Sequence, residues 1–246
     1  MGNPASRPLG SGYPGVLSRR RGVGFQETSW ICIFPSRFPP ISTFEAVASP
    51  DDLQAVMELE GWTNDRLVAQ RVARLPRDQW VYGVGNSSVV MASFLHVAPA
   101  GMRFTSADLS GWYAAFERRT AIAKVAHHLR REAINMRVAS LTLQYRTYVA
   151  QLAGEYHDIR GQRVALASLY SPDSYTESQA FGERIRSAGG DVILYDSARH
   201  RGGTNVVAFK PRNVRDVMMS THYRVSAIRP AQLQGVSSVW RAVADI

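Results

Sequence analysis

The sequence predicts an α+β fold: a single mixed-sheet domain with helices packed on it. Three observations carry this. Hydrophobic residues make up 45% of the 246 positions and charged residues 20%, enough apolar material for a sizeable core. One long segment repeats its apolar residues with helical period, and several short ones alternate or run apolar in the manner of strands. The two kinds mix along the chain without the regular alternation of a doubly wound sheet.

The helical segment runs from Glu117 to Ala133, where Ile122, Val125, Ala126 and Leu129 form one apolar stripe. A shorter helix is expected after Ser171-Pro172-Asp173, carrying Tyr175, Phe181 and Ile185 and closed by Gly189 and Gly190. Another helix start lies at Ser49-Pro50-Asp51-Asp52, where Ser49 suits a cap and Pro50 the first turn. Leu53, Val56, Met57 and Glu60 follow it at helical spacing. Leu141, Leu143, Tyr145, Thr147 and Val149 alternate with other residues and predict a strand. Trp80–Tyr82, Ser88–Leu95, Val192–Tyr195 and Val206–Phe209 are short apolar runs read as further strands. Gly83-Val84-Gly85-Asn86 reads as a turn; it lacks the third glycine and following helix of a dinucleotide fingerprint.

Residues 1–40 are rich in Gly, Pro, Ser and Arg, show no sustained period and read as a flexible extension, leaving 41–246 as the domain. Ser18-Arg19-Arg20-Arg21 faintly suggests a twin-arginine signal, but the apolar stretch from Ser29 to Pro35 is too short and ends in proline. With no apolar run long enough to span a membrane, a cytoplasmic location is expected. The single cysteine, Cys32, excludes a disulfide framework, and the scattered histidines give no metal-ligand spacing, so no metal is expected.

The formal net charge of +9 suits a ligand bearing phosphates. Nucleic acid is a weaker reading, because the arginines are scattered and no aromatics interleave with them. Lys124 and Lys210 are the two lysines among 29 basic residues, which makes Lys124 conspicuous.

Three segments share an order and spacing. Thr63-Asn64-Asp65-Arg66 comes first. Arg103-Phe104 then precedes Tyr113 by ten positions, and Thr120-Ala121-Ile122-Ala123-Lys124-Val125-Ala126-His127-His128 follows. Last come Tyr195-Asp196-Ser197-Ala198-Arg199 and Gly202-Gly203-Thr204-Asn205. Over roughly residues 43–230 this pattern resembles the RES domain family, in which an Arg-aromatic pair, a tyrosine, a glutamate and a Tyr-x-Ser-x-Arg motif recur in this order.

The resemblance implies a fold similar to ADP-ribosyltransferase toxins. It implies NAD as substrate, with the nicotinamide–ribose bond cleaved by hydrolysis, phosphorolysis or ADP-ribosyl transfer. It also implies an Xre-type antitoxin protein as partner, with neither nucleic acid nor membrane bound directly. On that pattern Arg103 holds phosphate, Tyr113 lines the nicotinamide pocket and Ser197 contacts the substrate, with Arg66 and Arg199 as further binding candidates. The chemistry is coherent: an arginine presents a planar fork of donors to a pyrophosphate, and a carboxylate stabilises the cation that develops on the ribose. Each residue also has a plainer reading: Arg103 in a salt bridge, Tyr113 as a core aromatic, Ser197 as a turn residue and His128 as a structural histidine.

One position departs from the family. Eleven residues after Tyr113, where the glutamate belongs, stands Lys124. A carboxylate about 5 Å from the forming cation contributes roughly 3 kcal/mol at an effective dielectric near 20, and reversing its sign costs roughly twice that. About 6 kcal/mol corresponds to roughly four orders of magnitude in rate. Glu117 is two helical turns away, about 10.5 Å by helical rise, and Glu132 is no closer. The expectation is therefore an NAD-acting, toxin-like scaffold whose turnover is in question. The alternative is a non-catalytic homologue that binds NAD or antitoxin.

Overall fold

The computed structural model describes residues 18–21, 29–36, 44–49, 51–52, 55–56, 73–228 and 241–245. Among them nine strands form one mixed sheet: β1 (Ser18–Arg21), β2 (Trp30–Pro35), β3 (Trp112–Ala115), β4 (Ser140–Leu152), β5 (Glu155–Asp158), β6 (Val192–Asp196), β7 (Thr204–Ala208), β8 (Val214–Ile228) and β9 (Arg241–Asp245). Their spatial order is β1-β5-β6-β7-β3-β2-β4-β8-β9. Only the β5–β6 pair is parallel. The helices are α1 (Ser87–Leu95), α2 (Arg118–Asn135) and α3 (Thr176–Ser187). The α+β class with a mixed sheet is thus as expected.

The central strands alternate between two buried faces. Trp112, Ala114, Val192, Leu194, Val206 and Ala208 join one apolar cluster, which α1 covers with Met91, Phe94 and Leu95. Tyr113, Ile193, Tyr195 and Val207 point to the opposite face, where Phe181 and Ile185 of α3 pack on them. Farther along that face α2 sets Ala126 and Leu129 against Tyr145, Tyr223 and Val225. Two helices therefore stand side by side over the face that carries Tyr113. Gly182 lets α3 approach closely, since a Cβ there would collide with the Phe104 backbone.

Several sequence readings hold in place and type. The helix expected at Glu117–Ala133 is α2, with Glu117 as its N-cap residue. The alternating segment is the middle of β4, and the two late apolar runs are β6 and β7. Gly189 and Gly190 end α3, their N–H groups donating to Arg186 O (2.9 Å) and Ile185 O (2.8 Å). Ser49 Oγ accepts from the Asp52 N–H at 3.1 Å, a cap of the expected kind. Leu53, Met57, Glu60 and the Thr63–Arg66 segment lie outside the described residues.

Others need correcting. Ser88–Leu95, read as a strand, lies within α1. A short run apolar on all sides has no period to separate a buried strand from a buried helix, and Met91, Phe94 and Leu95 are indeed fully enclosed. Trp80–Tyr82 belongs to no strand. The larger correction concerns residues 1–40. Trp30–Pro35 is an inner strand, flanked by β3 and β4, with Trp30 only 1% exposed. The apolar run Trp30-Ile31-Cys32-Ile33-Phe34 is too short for a secretory segment but long enough for a strand. Ser18–Arg21, which resembled a twin-arginine signal, pairs with β5 at the sheet edge. The boundary at residue 40 therefore does not separate extension from domain.

Candidate functional site

The segment before β3 positions Arg103. Met102 and Thr105 bridge to each other, making a tight turn with Arg103 and Phe104 at its tip. The Phe104 N–H donates to the Tyr113 hydroxyl at 2.9 Å, and Thr105 Oγ1 lies 3.2 Å from the same oxygen. This pin gives a physical reason for the spacing between the Arg-aromatic pair and the tyrosine. The Arg103 side chain is 7% exposed. Its Nη1 donates to Leu169 O (2.8 Å) and Ser171 O (3.1 Å), and its guanidinium stacks 4.8 Å from the Tyr175 ring centre. Both Nη1 hydrogens are thereby used, while Nε and Nη2 have no protein acceptor among the described residues.

Tyr113 is anchored by its hydroxyl and offers its ring. Burial pushes the phenol up to about 12, so it stays protonated. Cys32, on β2, donates its thiol to the Tyr113 carbonyl at 2.9 Å, and burial holds that thiol at about 12 as well.

Lys124 projects from the second turn of α2 and sets Nζ 4.5 Å from the centre of the Tyr113 ring. Burial pushes its ammonium down to about 8. It remains mostly charged at neutral pH, and no carboxylate among the described residues pairs with it. His128, one turn on, stands at the mouth of the same cleft. Its imidazolium is disfavoured by desolvation and then by the Lys124 charge.

Ser197 enters from the loop after β6. Its Oγ accepts from the N–H groups of Arg199 (3.2 Å) and His200 (3.1 Å), the geometry of a turn serine. It is also a cleft residue, 4% exposed, whose hydroxyl proton remains to be donated. Arg199 donates to Pro172 O at 3.2 Å and lines the cleft beside it. His200 Nδ1 and the Thr120 hydroxyl, 2.8 Å apart, tie this loop to the start of α2.

Arg103, Tyr113, Lys124, Ser197 and Arg199 therefore meet in one cleft. Positions 94 apart in sequence are brought together by the pairing of β3 and β6 with β7 and by the packing of α2 on the sheet. Arg66 lies outside the described residues. Among those described, no carboxylate lines the cleft, and Glu117 and Glu132 are not part of it. Nor does any cluster of histidine, cysteine or acidic residues form a metal-ligand group among them.

Sequence reasoning missed Asn205 and Tyr175 as cleft residues. Asn205 is 5% exposed and its Oδ1 has no hydrogen-bond partner. Its signal was its place directly after Gly202-Gly203-Thr204. Tyr175 carried no such signal, because its contact with Arg103 joins positions 72 apart in sequence.

The sequence model of the RES domain matches residues 69–227. The chain belongs to the RES domain family. That match covers β3 to β7, nearly all of β8 and α1 to α3, so every described cleft residue falls within the RES domain. An uncharacterized protein, y4oC, of Sinorhizobium fredii (strain NBRC 101917 / NGR234) is 26% identical over 195 residues, covering 78% of this chain and 80% of its own. Among solved structures, the M. tuberculosis MbcT–MbcA toxin–antitoxin complex contains a chain that superposes with a TM-score of 0.39 at 15% identity. That overlay covers 50% of this chain and 71% of the other.

Proposed function

We propose that this RES domain holds an NAD-type dinucleotide in the Arg103–Tyr113–Lys124–Ser197 cleft and cleaves its nicotinamide–ribose bond only weakly. The observation that carries this reading is the convergence of all four positions on a cleft without a described carboxylate. Arg103 supplies fixed donors for a pyrophosphate, with its Nη1 anchored and the rest of the fork free. The Tyr113 ring offers an apolar floor, and the Ser197 hydroxyl and Asn205 Oδ1 offer one donor and one acceptor for a ribose or a carboxamide.

The same groups make poor catalysts for glycosidic cleavage. As that bond breaks, positive charge builds on the ribose, and the described cleft offers cations and no carboxylate to stabilise it. Binding made equally in ground and transition states survives, while the part specific to the transition state is lost. The ADP-ribosyltransferase-like relationship, an antitoxin partner of Xre type and a cytoplasmic setting form part of the same proposal. They are supported by family membership. No described helix is long and apolar enough to cross a membrane. The test measures dinucleotide binding and NAD consumption on the same purified protein. Binding with little turnover is expected. Absence of binding, with folding intact, would remove the assignment.

A further inference from the structure

Resting on that reading of the cleft, we infer that this site discriminates by the charge of the nicotinamide ring: it takes a dinucleotide whose ring is neutral, or a ring-less ADP-ribose, in preference to the pyridinium form. Lys124 is the discriminating residue.

The argument is electrostatic and starts from what lines the cleft. Arg103, Lys124 and Arg199 each bring a positive charge to it, and among the described residues no carboxylate offsets them. Phosphates are welcome there, but a second cation is not. Oxidised and reduced dinucleotides share the adenosine, the riboses and the pyrophosphate, and differ at the ring: a pyridinium cation in one, a neutral dihydropyridine in the other.

Placement decides how much that difference matters. Tyr113 lines the cleft with Tyr175 and Tyr195, and Lys124 Nζ already stands 4.5 Å from the centre of the Tyr113 ring. A pyridinium stacked on Tyr113 would sit within a few ångströms of an ammonium. It would also compete with that ammonium for the negative face of the same tyrosine. A dihydropyridine meets no such repulsion. ADP-ribose avoids it too, presenting only hydroxyls that Ser197 and the unpartnered Asn205 Oδ1 can satisfy. Two unit charges about 5 Å apart at an effective dielectric near 20 disfavour binding by more than a hundredfold, and partial solvent screening leaves at least roughly tenfold. Burial lowers the proton affinity of Lys124 without neutralising it at pH 7.

The experiment is a calorimetric titration of the whole chain at pH 7 with NADH, ADP-ribose and NAD+ as the probes. NADH and ADP-ribose are expected to bind at least about tenfold more tightly than NAD+. The variant Lys124→Met should bring NADH and NAD+ within a few-fold of each other, and Lys124→Glu should reverse their order. Equal or tighter binding of NAD+ by the wild type would overturn this inference while leaving the cleft as a dinucleotide site. So would a preference for NADH that persists undiminished in Lys124→Met. If none of the three probes binds, the dinucleotide reading falls and this inference with it. The wild-type comparison requires no variant to fold.

Discussion

Lys124 Nζ lies 4.5 Å from the centre of the Tyr113 ring, so the lysine and the tyrosine eleven positions before it form one cation–π pair. The pair joins α2 to β3 across the cleft floor. It engages the ammonium with the face of the tyrosine ring.

Restoring the acid should restore chemistry. Lys124→Glu is expected to raise NAD consumption by at least about a hundredfold, short of the roughly four orders of magnitude that full charge reversal represents. The shortfall reflects geometry, since Tyr113 is now packed beneath a longer side chain. Following nicotinamide release by both proteins at equal folded concentration checks this. Wild-type turnover equal to the variant's would place the essential carboxylate elsewhere.

The buried ammonium also leaves a mark on stability against pH. The folded protein holds Lys124 at about 8, below the ordinary 10.5. Below about 8 both folded and unfolded chains carry the proton, and the full cost of burying the charge is present. Between about 8 and 10.5 the folded state releases its proton while the unfolded chain keeps it. This contribution to stability therefore rises with pH through that window. Lys124→Met should melt about 2–4 °C higher than wild type at pH 7, with the gap closing by pH 10. Melting curves at the two pH values read this directly; a gap that stays constant would assign it to packing instead.

Tyr113→Phe separates scaffold from surface. It removes the acceptor of the Phe104 N–H and the partner of the Thr105 hydroxyl, both fully buried. A cost of about 1–3 kcal/mol follows, or a fall of several degrees in Tm. The ring itself is retained, so affinity for NADH should change little. Loss of affinity without loss of stability would mean that the hydroxyl meets ligand.

Arg103→Lys keeps the charge but loses the stack on Tyr175 and the planar fork. Affinity for ADP-ribose should fall roughly tenfold or more, which titration would show. Unchanged affinity would reduce Arg103 to its structural bonds with Leu169 and Ser171.

Trp30→Ala tests the corrected boundary. Trp30 is 1% exposed on an inner strand, so its truncation should cost about 3–5 kcal/mol, measurable by denaturant unfolding. A neutral outcome would return residues 29–36 to the status of an appendage.

The sequence by itself determined the α+β class, the long helix α2 and the positions of β4, β6 and β7, because period and capping are local properties. It also set Lys124 eleven positions after Tyr113, since spacing is a matter of counting. What only the tertiary structure decided depends on contacts that no local pattern records. Trp30–Pro35 sits among glycines, prolines and arginines, and its burial comes from strands more than eighty positions later. Ser88–Leu95 is a helix whose apolar residues extend around most of its circumference, leaving no polar face to reveal a period. The cleft exists because β3, β6 and β7 pair side by side, so Tyr113 and Ser197 arrive next to each other. Asn205 and Tyr175 join them there through proximity alone, and the absence of a described acid from that space is a fact of packing.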